Sequence, residues 1–366
     1  MHTAFGGATA FRAAEKLFRR GGALPALPSL LAAGALDFSA PAGPIVCLQP
    51  PPAVEEDAPP TFGAASLRAF SARGGVYALP AYPGFYVLPR ALSVPQQEAL
   101  ARAALRRYIE PPNRRSLDRT GEGVPAVAAA EAPSRPLWRG ADGRLQRRLA
   151  WATLGLHYDW AGRRYHIPGE TEAAAWASPF PPLLAAFCGA AVDAAHGAVA
   201  GAGLSARSGA GMPLAPFSPQ SAILSVYHAA RARADKLPMG GHKDDIERTM
   251  GAPVLSVSLG ATAVFLLGGD ARDAPPQPLL LRSGDVTLLS GAVRACVHGV
   301  PRVLVGEEEG GAPPAPLFCG APPPLPPAVG ATEEEAACEP GGTDEEAAFR
   351  VFMAAARLNF TVRQIY

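Results

Sequence analysis

The chain has 366 residues, a formal net charge of +1 and 48% hydrophobic residues, so it is long enough for one large or two ordinary domains. Glycine and proline together account for 79 residues (39 plus 40), which predicts long irregular segments around a compact unit. No run of about 18 or more apolar residues occurs, so we predict no transmembrane helix and no membrane partner. Five scattered cysteines without a C-x-x-C pair argue against a disulfide framework and a zinc site, and favour an intracellular, reducing location.

The beginning of the chain is basic and contains a single acid, Glu15, within residues 1–22. An arginine-rich, acid-poor start is compatible with an organelle transit peptide. The alternative is an amphipathic helix, because Phe11, Leu17 and Phe18, together with Ala14, recur at helical spacing.

Regular elements are predicted from the local pattern further along. VPQQEALARAALRR at 94–107 has a helix-forming composition, and Ser93 before it is a candidate N-cap. Ser283-Gly284-Asp285 predicts a hairpin turn between two strands. Short β-branched runs bounded by Gly and Asp predict the strands themselves, which lie at 253–260, 262–269, 278–291 and 300–305.

The small net charge hides a strong polarity along the chain. Residues 101–165 contain thirteen arginines and six acids, a balance of +7, whereas residues 303–346 contain ten acids and no lysine or arginine. A basic block near an active site is the expected footprint for a phosphate backbone, and the alternative is a solvated helix face. The acidic segment is rich in Pro, Gly and Glu, so we predict a disordered insertion at 306–346 that could compete with nucleic acid for the basic block.

A candidate metal site lies among the predicted strands. His242 and Asp244 are two residues apart, so an extended strand points both side chains to one face, and His298 can supply a third ligand from another strand. Two imidazoles and one carboxylate form the facial triad of non-haem Fe(II) oxygenases, which leaves coordination positions open. A second H-x-D motif occurs at His157 and Asp159, but no series of predicted strands follows it. We therefore assign the metal to His242 and Asp244.

Four ordered motifs run along the chain: GFYVLPRALS at 84–93, LAWATLGLHYDW at 149–160, GHKDDIE at 241–247 with HGVPRV at 298–303, and RLNFTVRQ at 357–364. Together they resemble the AlkB family of Fe(II)/2-oxoglutarate-dependent dioxygenases, and most closely the type of the first eukaryotic AlkB homologue. The resemblance implies an α+β fold, with a double-stranded β-helix (jelly-roll) core, N-terminal helices and a nucleotide-recognition lid. It also favours the helix over the transit peptide at the start of the chain.

The same resemblance implies how the chain is organised. We expect an N-terminal helix and a proline-rich extension in residues 1–80, helical support and a basic nucleic-acid-recognition lid in residues 81–220, and the dioxygenase core in residues 221–366. The acidic insertion at 306–346 would then loop out of that core.

The cofactors implied by the resemblance are Fe(II), 2-oxoglutarate and O2. His242, Asp244 and His298 would hold the metal. Arg357 would meet the far carboxylate of 2-oxoglutarate as a bidentate partner, and Arg363 would lie near its metal-binding end. The remaining co-substrate contacts match Tyr227, Asn359 and Ser225, the last of which replaces an asparagine of bacterial members and predicts a weaker affinity for 2-oxoglutarate.

The implied partner is nucleic acid with a flipped or single-stranded methylated base, because the base must leave its stack to reach the metal. Trp151 and Tyr158 keep the family's seven-residue separation and would stack on or cover that base. Ordinary core packing is the alternative for both. Glu247 matches an acidic residue of the family and is our third candidate for substrate binding.

The function implied by the resemblance is oxidative demethylation of nucleic acid. tRNA carrying 1-methyladenine or 5-methylcytosine is the preferred substrate, and DNA with N6-methyladenine is the second. Two alternatives stay open: an oxygenase acting on a protein substrate, against which the basic block argues, and a nucleic-acid-binding protein without turnover, against which the complete triad argues. The sequence leaves open the oligomeric state and whether the location is mitochondrial, nuclear or cytoplasmic.

Overall fold

Two β-sheets face each other in the computed structural model, which describes residues 9–52, 73–116, 148–167, 169, 177–204, 216–231, 236–305, 332 and 343–366. The helices are α1 (Ala10–Phe18), α2 (Leu27–Ala32), α3 (Val94–Ala103) with a π-helical continuation (Ala104–Tyr108), α4 (Pro182–Gly201) and α5 (Thr343–Met353). The strands are β1 (Leu36–Asp37), β2 (Val46–Gln49), β3 (Val76–Ala78), β4 (Phe85–Leu88), β5 (Arg114–Arg115), β6 (Trp151–Gly155), β7 (Tyr158–Asp159), β8 (Arg164–Tyr165), β9 (Ser221–His228), β10 (Met239–His242), β11 (Val254–Gly260), β12 (Ala263–Leu267), β13 (Gln277–Leu281), β14 (Val286–Leu289), β15 (His298–Val303) and β16 (Ala356–Arg363).

The strand order is that of a double-stranded β-helix. The larger sheet runs β2-β3-β4-β14-β11-β16-β9-β6-β5, the smaller sheet runs β1-β13-β12-β15-β10, and β7 pairs with β8 as a separate hairpin. The chain passes from the larger to the smaller sheet between β11 and β12, and back again between β13 and β14. Such alternation between two facing antiparallel sheets builds a jelly roll, so the predicted fold class is confirmed.

Side chains along the strands of the larger sheet point alternately to its two faces, one of which packs in the core while the other lines a cavity. On β9, Ala222, Leu224 and Val226 join the hydrophobic core that packs against α3 and α4. The intervening Ser225 and Tyr227 point the other way and line the cavity between the sheets. One face of the sheet is therefore committed to packing and the other to the site.

The outer face of the smaller sheet is covered by α1 and α2. Phe11 and Phe18 of α1 are buried against this sheet, as the helical spacing predicts. Leu17, which the same spacing assigned to the apolar face, is instead 41% exposed, and Glu15 is buried in its place. The prediction for Leu17 is wrong because a backbone amide of β10 provides a polar partner for the Glu15 carboxylate.

The turn at Ser283-Gly284-Asp285 connects the two sheets and does not close a hairpin, so that prediction is wrong. β13 pairs with β12, whereas β14 pairs with β11 and β4. Gly284 adopts a positive φ of 84°. The Asp285 carboxylate accepts hydrogen bonds from the backbone amides of Arg282 and Arg90, at 2.8 and 3.0 Å, which fixes the crossing.

Part of the acidic segment is helical. Residues 306–331 and 333–342 lie outside the described residues, but α5 begins at Thr343, so the prediction of disorder is wrong for the last four residues of 306–346. Glu346 accepts from Arg102 of α3 at 2.6 Å, and Glu345 lies 2.8 Å from Arg106. These pairs are largely buried, so ion pairing with α3 stabilises this stretch.

Two arginines of the basic block are thus occupied by α5. Arg163 and Arg164, on the β7–β8 hairpin, keep side-chain exposures of 69% and 62%. The remaining members in the described residues lie around α3, β5 and β6. Five others lie outside the described residues: Arg119, Arg135, Arg139, Arg144 and Arg147.

Among the described residues, α4 is long and apolar enough to cross a membrane by length and composition, although the sequence predicted no such helix. Half of its most apolar stretch is buried within the structure. Leu184, Phe187 and Val199 of this helix are completely buried in the core formed with the larger sheet, which is also the packing of a core helix.

Candidate metal centre and substrate cavity

His242, Asp244 and His298 come together at one end of the cavity between the sheets. The Cα atoms of His242 and His298 are paired across β10 and β15, and Asp244 follows two residues after β10 ends. One ligand atom from each side chain lies within 4.8 Å of the others. Within the described part of the chain this is the one cluster of such residues that could hold a metal ion.

Both imidazoles are oriented by backbone carbonyls. His242 Nδ1 lies 3.0 Å from Gly240 O, and His298 Nδ1 lies 3.0 Å from Cys296 O. A carbonyl oxygen only accepts, so each Nδ1 carries the proton and each Nε2 keeps its lone pair for a metal. Burial lowers the pKa of His298 to about 4 against the opposing effect of Asp244, so this imidazole is neutral at neutral pH.

Arg363 stabilises the charged form of Asp244 by contacting one of its two carboxylate oxygens. Burial alone would raise the pKa of Asp244, but Arg363 and the two histidines outweigh burial and lower the pKa well below the usual range. Arg363 donates to Asp244 Oδ1 at 2.8 Å, whereas Oδ2 is buried with no hydrogen-bond partner. A buried oxygen without a partner is costly, so this atom needs a ligand that the chain itself does not supply.

Arg363 is fixed in turn by Glu247. Arg363 Nε lies 3.0 Å from Glu247 Oε1, as an ion pair rather than a well-aligned hydrogen bond. The same carboxylate accepts from Tyr165 at 2.8 Å and from Arg294 at 2.7 Å. Glu247 is 6% exposed and engaged on both oxygens, so the structure gives it a supporting position behind Arg363 in addition to its place in the cavity wall.

Arg357 lies at the opposite end of β16 from Arg363 and has a different environment. It is 1% exposed and donates to Ser258 Oγ at 2.8 Å and to two backbone carbonyls, those of Ala261 and Leu281. Burial lowers its pKa to about 10, against the effects of Tyr227 and Asp285. Its Nε has no hydrogen-bond partner, and no described carboxylate lies within ion-pair distance of Arg357.

The co-substrate residues share the cavity wall. Strand pairing sets Tyr227 beside Arg357 and Ser225 beside Asn359. Asn359 Oδ1 accepts from Arg357 at 3.3 Å, and burial raises the pKa of Tyr227, which stays a neutral phenol. A cavity of about 440 Å³ therefore has a triad at one end and an unpaired buried guanidinium at the other.

This donor set fits Fe(II) and 2-oxoglutarate. The unpartnered Asp244 Oδ2 and the two free Nε2 atoms supply three ligands of the facial triad type. Arg357 lines the same cavity, and its Nε is a buried donor without a hydrogen-bond partner, which suits pairing with a carboxylate of the co-substrate.

Aromatic side chains cover the mouth of the cavity. The rings of Trp151 and Trp160 lie 4.1 Å apart between centroids, and Tyr158 lies 5.3 Å from Trp160 and 5.1 Å from Tyr165. β6 and the β7–β8 hairpin supply all four. We call Trp151, Tyr158, Trp160 and Tyr165 the aromatic lid; Trp160 and Tyr165 were missed from the sequence, although Trp160 closes the same motif.

A second cavity of about 560 Å³ adjoins the first and shares Trp151 and Tyr227 with it. Its described lining contains no aspartate or glutamate. The cationic side chains that line it are Arg20, Arg231, Lys236 and Arg302.

The competing H-x-D pair lies away from the centre. His157 Nε2 is 3.3 Å from Ser178 Oγ, and Asp159 accepts from the amide of Ala161 at 3.0 Å. Neither residue belongs to the candidate metal cluster, so the context of strands selected the right copy.

Comparison with known proteins agrees with this site. A model of the 2OG-Fe(II) oxygenase superfamily matches residues 84–363. The chain is 29% identical to the DNA N(6)-methyladenine demethylase ALKBH1A of Arabidopsis thaliana, over 80% of this chain and 78% of the relative. It is 31% identical to the human nucleic acid dioxygenase ALKBH1, over 79% of this chain and 66% of the relative.

A shorter match is to the tRNA demethylase abh1 of Schizosaccharomyces pombe, 26% identical over 44% of this chain and 45% of the relative. The superfamily match spans most of the chain and includes the triad and both β16 arginines. An alpha-ketoglutarate-dependent dioxygenase AlkB homologue of Caulobacter vibrioides is 32% identical over 61% of this chain and 80% of the relative. The chain therefore belongs to the 2OG-Fe(II) oxygenase superfamily and within it to the AlkB family, is similar to ALKBH1, and is an enzyme that uses Fe(II), 2-oxoglutarate and O2.

Proposed function

We propose that the protein oxidatively removes methyl groups from bases in nucleic acid, with tRNA as the preferred substrate and N6-methyladenine DNA as the alternative. The observation that carries this proposal is the aromatic lid, which lines the same cavity as the His242–Asp244–His298 centre. A flipped base offers a flat π-face, and stacking on aromatic side chains contributes about 1–3 kcal/mol per base.

The charges around the cavity favour a polyanionic substrate. The second cavity is lined by cations and adjoins the aromatic lid, so phosphates next to a flipped base could be neutralised there. Arg163, which is exposed, lines the mouth of the first cavity. The relatives named as acting on DNA and on tRNA support the same substrate class.

Each part of the chain has a defined task in the proposed reaction. Fe(II), held by His242, Asp244 and His298, would supply with 2-oxoglutarate and O2 the oxidation that hydroxylates an N-methyl carbon, and the hydroxymethyl group would then leave as formaldehyde. Arg357 binds the far carboxylate of 2-oxoglutarate, and Arg363 holds Asp244 as an oriented carboxylate. Trp151 and Tyr158 stack on the base and exclude water from it.

The experiment measures succinate release by the purified protein with Fe(II), ascorbate and 2-oxoglutarate. Bulk tRNA, a single-stranded DNA oligonucleotide with N6-methyladenine, and unmethylated versions of both are added separately, and nucleosides are quantified by mass spectrometry. We expect tRNA to stimulate succinate release and to lose or oxidise one methylated nucleoside. Stimulation by the DNA alone selects the alternative substrate. Basal succinate without stimulation or nucleoside change in any arm would overturn the proposal and direct the search to protein substrates.

A further inference from the structure

The strand that carries the first metal ligand is an edge strand. Among the described residues, β10 pairs only with β15 in the smaller sheet, and the pairing is irregular between Met239 and His242. Gly299 of β15 allows a close approach, since a Cβ there would lie 3.1 Å from Gly241 N. An edge strand of four residues with an irregular register does not by itself hold a ligand to the precision that a metal centre needs.

Helix α1 covers this edge and satisfies its backbone. Glu15 Oε1 accepts from the Gly241 amide at 2.7 Å, one residue before His242. Glu15 is 1% exposed although it is a carboxylate on a short helix. Its other oxygen pairs with Arg12 at 2.9 Å, whose own side chain is 53% exposed. Burying a carboxylate is costly unless hydrogen bonds and ion pairs compensate for its lost hydration, and here the Gly241 amide and Arg12 provide them.

A second residue of α1, Phe11, also contacts Gly241. Phe11 occupies the space above Gly241, where a Cβ would lie 2.5 Å from the Phe11 ring. The Phe11 amide donates to Arg272 O at 3.0 Å, and the Arg272 guanidinium donates to Gly241 O. Both backbone polar groups of Gly241 are thus bound directly or indirectly by α1.

We infer that α1 is part of the metal centre and that Glu15 is a positioning residue for His242. The amide bond from Glu15 sets the Gly240–Gly241 backbone, Gly240 O then orients His242 Nδ1, and this directs Nε2 towards Asp244 and His298. The inference concerns the metal site alone and does not depend on which substrate the enzyme takes.

Two substitutions at Glu15 distinguish the effect of side-chain length from the effect of charge. Glu15→Asp keeps the charge but is one methylene too short for the Gly241 amide, whereas Glu15→Gln keeps the reach and an acceptor oxygen but removes the charge. Arg12→Gln is the matched control, because it removes the ion pair and leaves the amide bond intact.

The readouts are the affinity of the full-length protein for Mn(II) by calorimetry and the visible spectrum of the Co(II)-loaded protein. We expect Glu15→Asp to weaken metal binding by about tenfold to a hundredfold, the range seen when groups that orient metal ligands are changed, and to alter the Co(II) spectrum. Glu15→Gln and Arg12→Gln should stay within about threefold of wild type.

A purely structural role for α1 predicts a different pattern. Glu15→Asp would then lower the unfolding temperature of the metal-free protein while the Co(II) spectrum and the Mn(II) affinity of the folded fraction stayed as in wild type, and that result would overturn the inference. A loss of affinity in Glu15→Gln with none in Glu15→Asp would also overturn it, because the charge of Glu15 rather than its length would then be responsible.

Discussion

The two arginines of the R-x-N-x-x-x-R motif look equivalent in the sequence, but their surroundings differ. Arg363 is neutralised by Asp244 and Glu247, so its charge is already used inside the chain. Arg357 is as deeply buried, and no described carboxylate pairs with it. A buried, uncompensated guanidinium is unfavourable. We therefore propose Arg357 as the residue that binds an anionic co-substrate, whereas Arg363 contacts the predicted metal ligand Asp244.

Replacing Arg357 by Ala should raise the KM for 2-oxoglutarate by roughly thirtyfold or more, because losing a buried charge pair with the co-substrate costs on the order of 2–5 kcal/mol. The measurement is succinate release as a function of 2-oxoglutarate concentration. Arg350→Ala is the control, since Arg350 forms a partly exposed pair with Glu346 on α5. An unchanged dependence on 2-oxoglutarate in Arg357→Ala would contradict the assignment.

Replacing Asp244 by Ala should abolish turnover and leave nucleic-acid affinity within about twofold of wild type, because the carboxylate faces the metal rather than the aromatic lid. Succinate release and fluorescence anisotropy with labelled tRNA measure the two properties. Asp159→Ala, in the other H-x-D pair, serves as the control and should keep its turnover. Activity in Asp244→Ala equal to that of wild type would remove the triad assignment.

The residues that carry chemistry were predictable from the sequence because their types and spacing are constrained by the metal and co-substrate. His242, Asp244 and His298, which the structure brings together, were found in this way; the role of Arg357 stays a prediction. Arg294 was not, because it lies on a 3₁₀ turn (Gly291–Ala295) and reaches Glu247 only through the fold. Tyr165 was missed for the same reason, since its hydroxyl partner is distant in sequence.

At the scale of elements, local pattern predicted strands but not their sheets. The runs at 253–260 and 278–291 are strands, and the helix at 94–107 begins with the predicted cap, since Ser93 Oγ accepts from the Gln96 amide at 3.4 Å. The turn at 282–285 has hairpin-like composition and still crosses between sheets. What decides this is the pairing of β14 with β4 and β11, a long-range contact with no local signal.

The crossing turn should make stability depend on pH through Asp285. Burial raises the pKa of Asp285 to about 6, from 3.8, against several hydrogen bonds and nearby arginines. The folded state therefore binds this proton more tightly than the unfolded state, and its contribution to stability is lost as pH rises through about 4 to 6. The loss is on the order of 3 kcal/mol.

Asp285→Asn removes this titration, although it also removes one of two acceptor oxygens at every pH. We expect the unfolding free energy of wild type minus that of the variant to fall between pH 4 and 7, which urea unfolding of the metal-free protein measures. Asp193→Asn, at an exposed aspartate of α4, is the reference substitution. A difference that rises with pH would show that Asp285 is stabilised as the carboxylate.

At the scale of the molecule, the sequence showed that basic and acidic residues are segregated along the chain, but it did not show which of them form ion pairs. Arg102 and Arg106 bind α5 through Glu346 and Glu345, so they contribute to cohesion and not to an open basic surface. Exposed positive charge among the described residues includes Arg163 and Arg164 of the β7–β8 hairpin and Lys236 of the second cavity. Arg302 of that cavity is buried. Composition counts charges along the chain, whereas the fold determines which of them are paired.

Nucleic-acid affinity should therefore depend on salt, since phosphate contacts release condensed counterions. For about three or four contacts we expect affinity for tRNA to fall by roughly tenfold or more between about 50 and 200 mM salt. Arg163→Glu should weaken binding and reduce the slope, and Arg102→Gln should change stability without changing the slope. Anisotropy titrations measure this, and a salt-independent affinity would argue against phosphate recognition.

The position of β16 has a consequence for how the protein is made. β16 lies between β9 and β11, which do not pair with each other, so it joins the two halves of the larger sheet. It also carries Arg357 and Arg363. On the ribosome, the two halves cannot be closed until residue 363 has left the exit tunnel, and until then the inner faces of β9 and β11 lack their common neighbour. Assembly of the larger sheet and completion of the predicted co-substrate site thus both depend on the synthesis of β16.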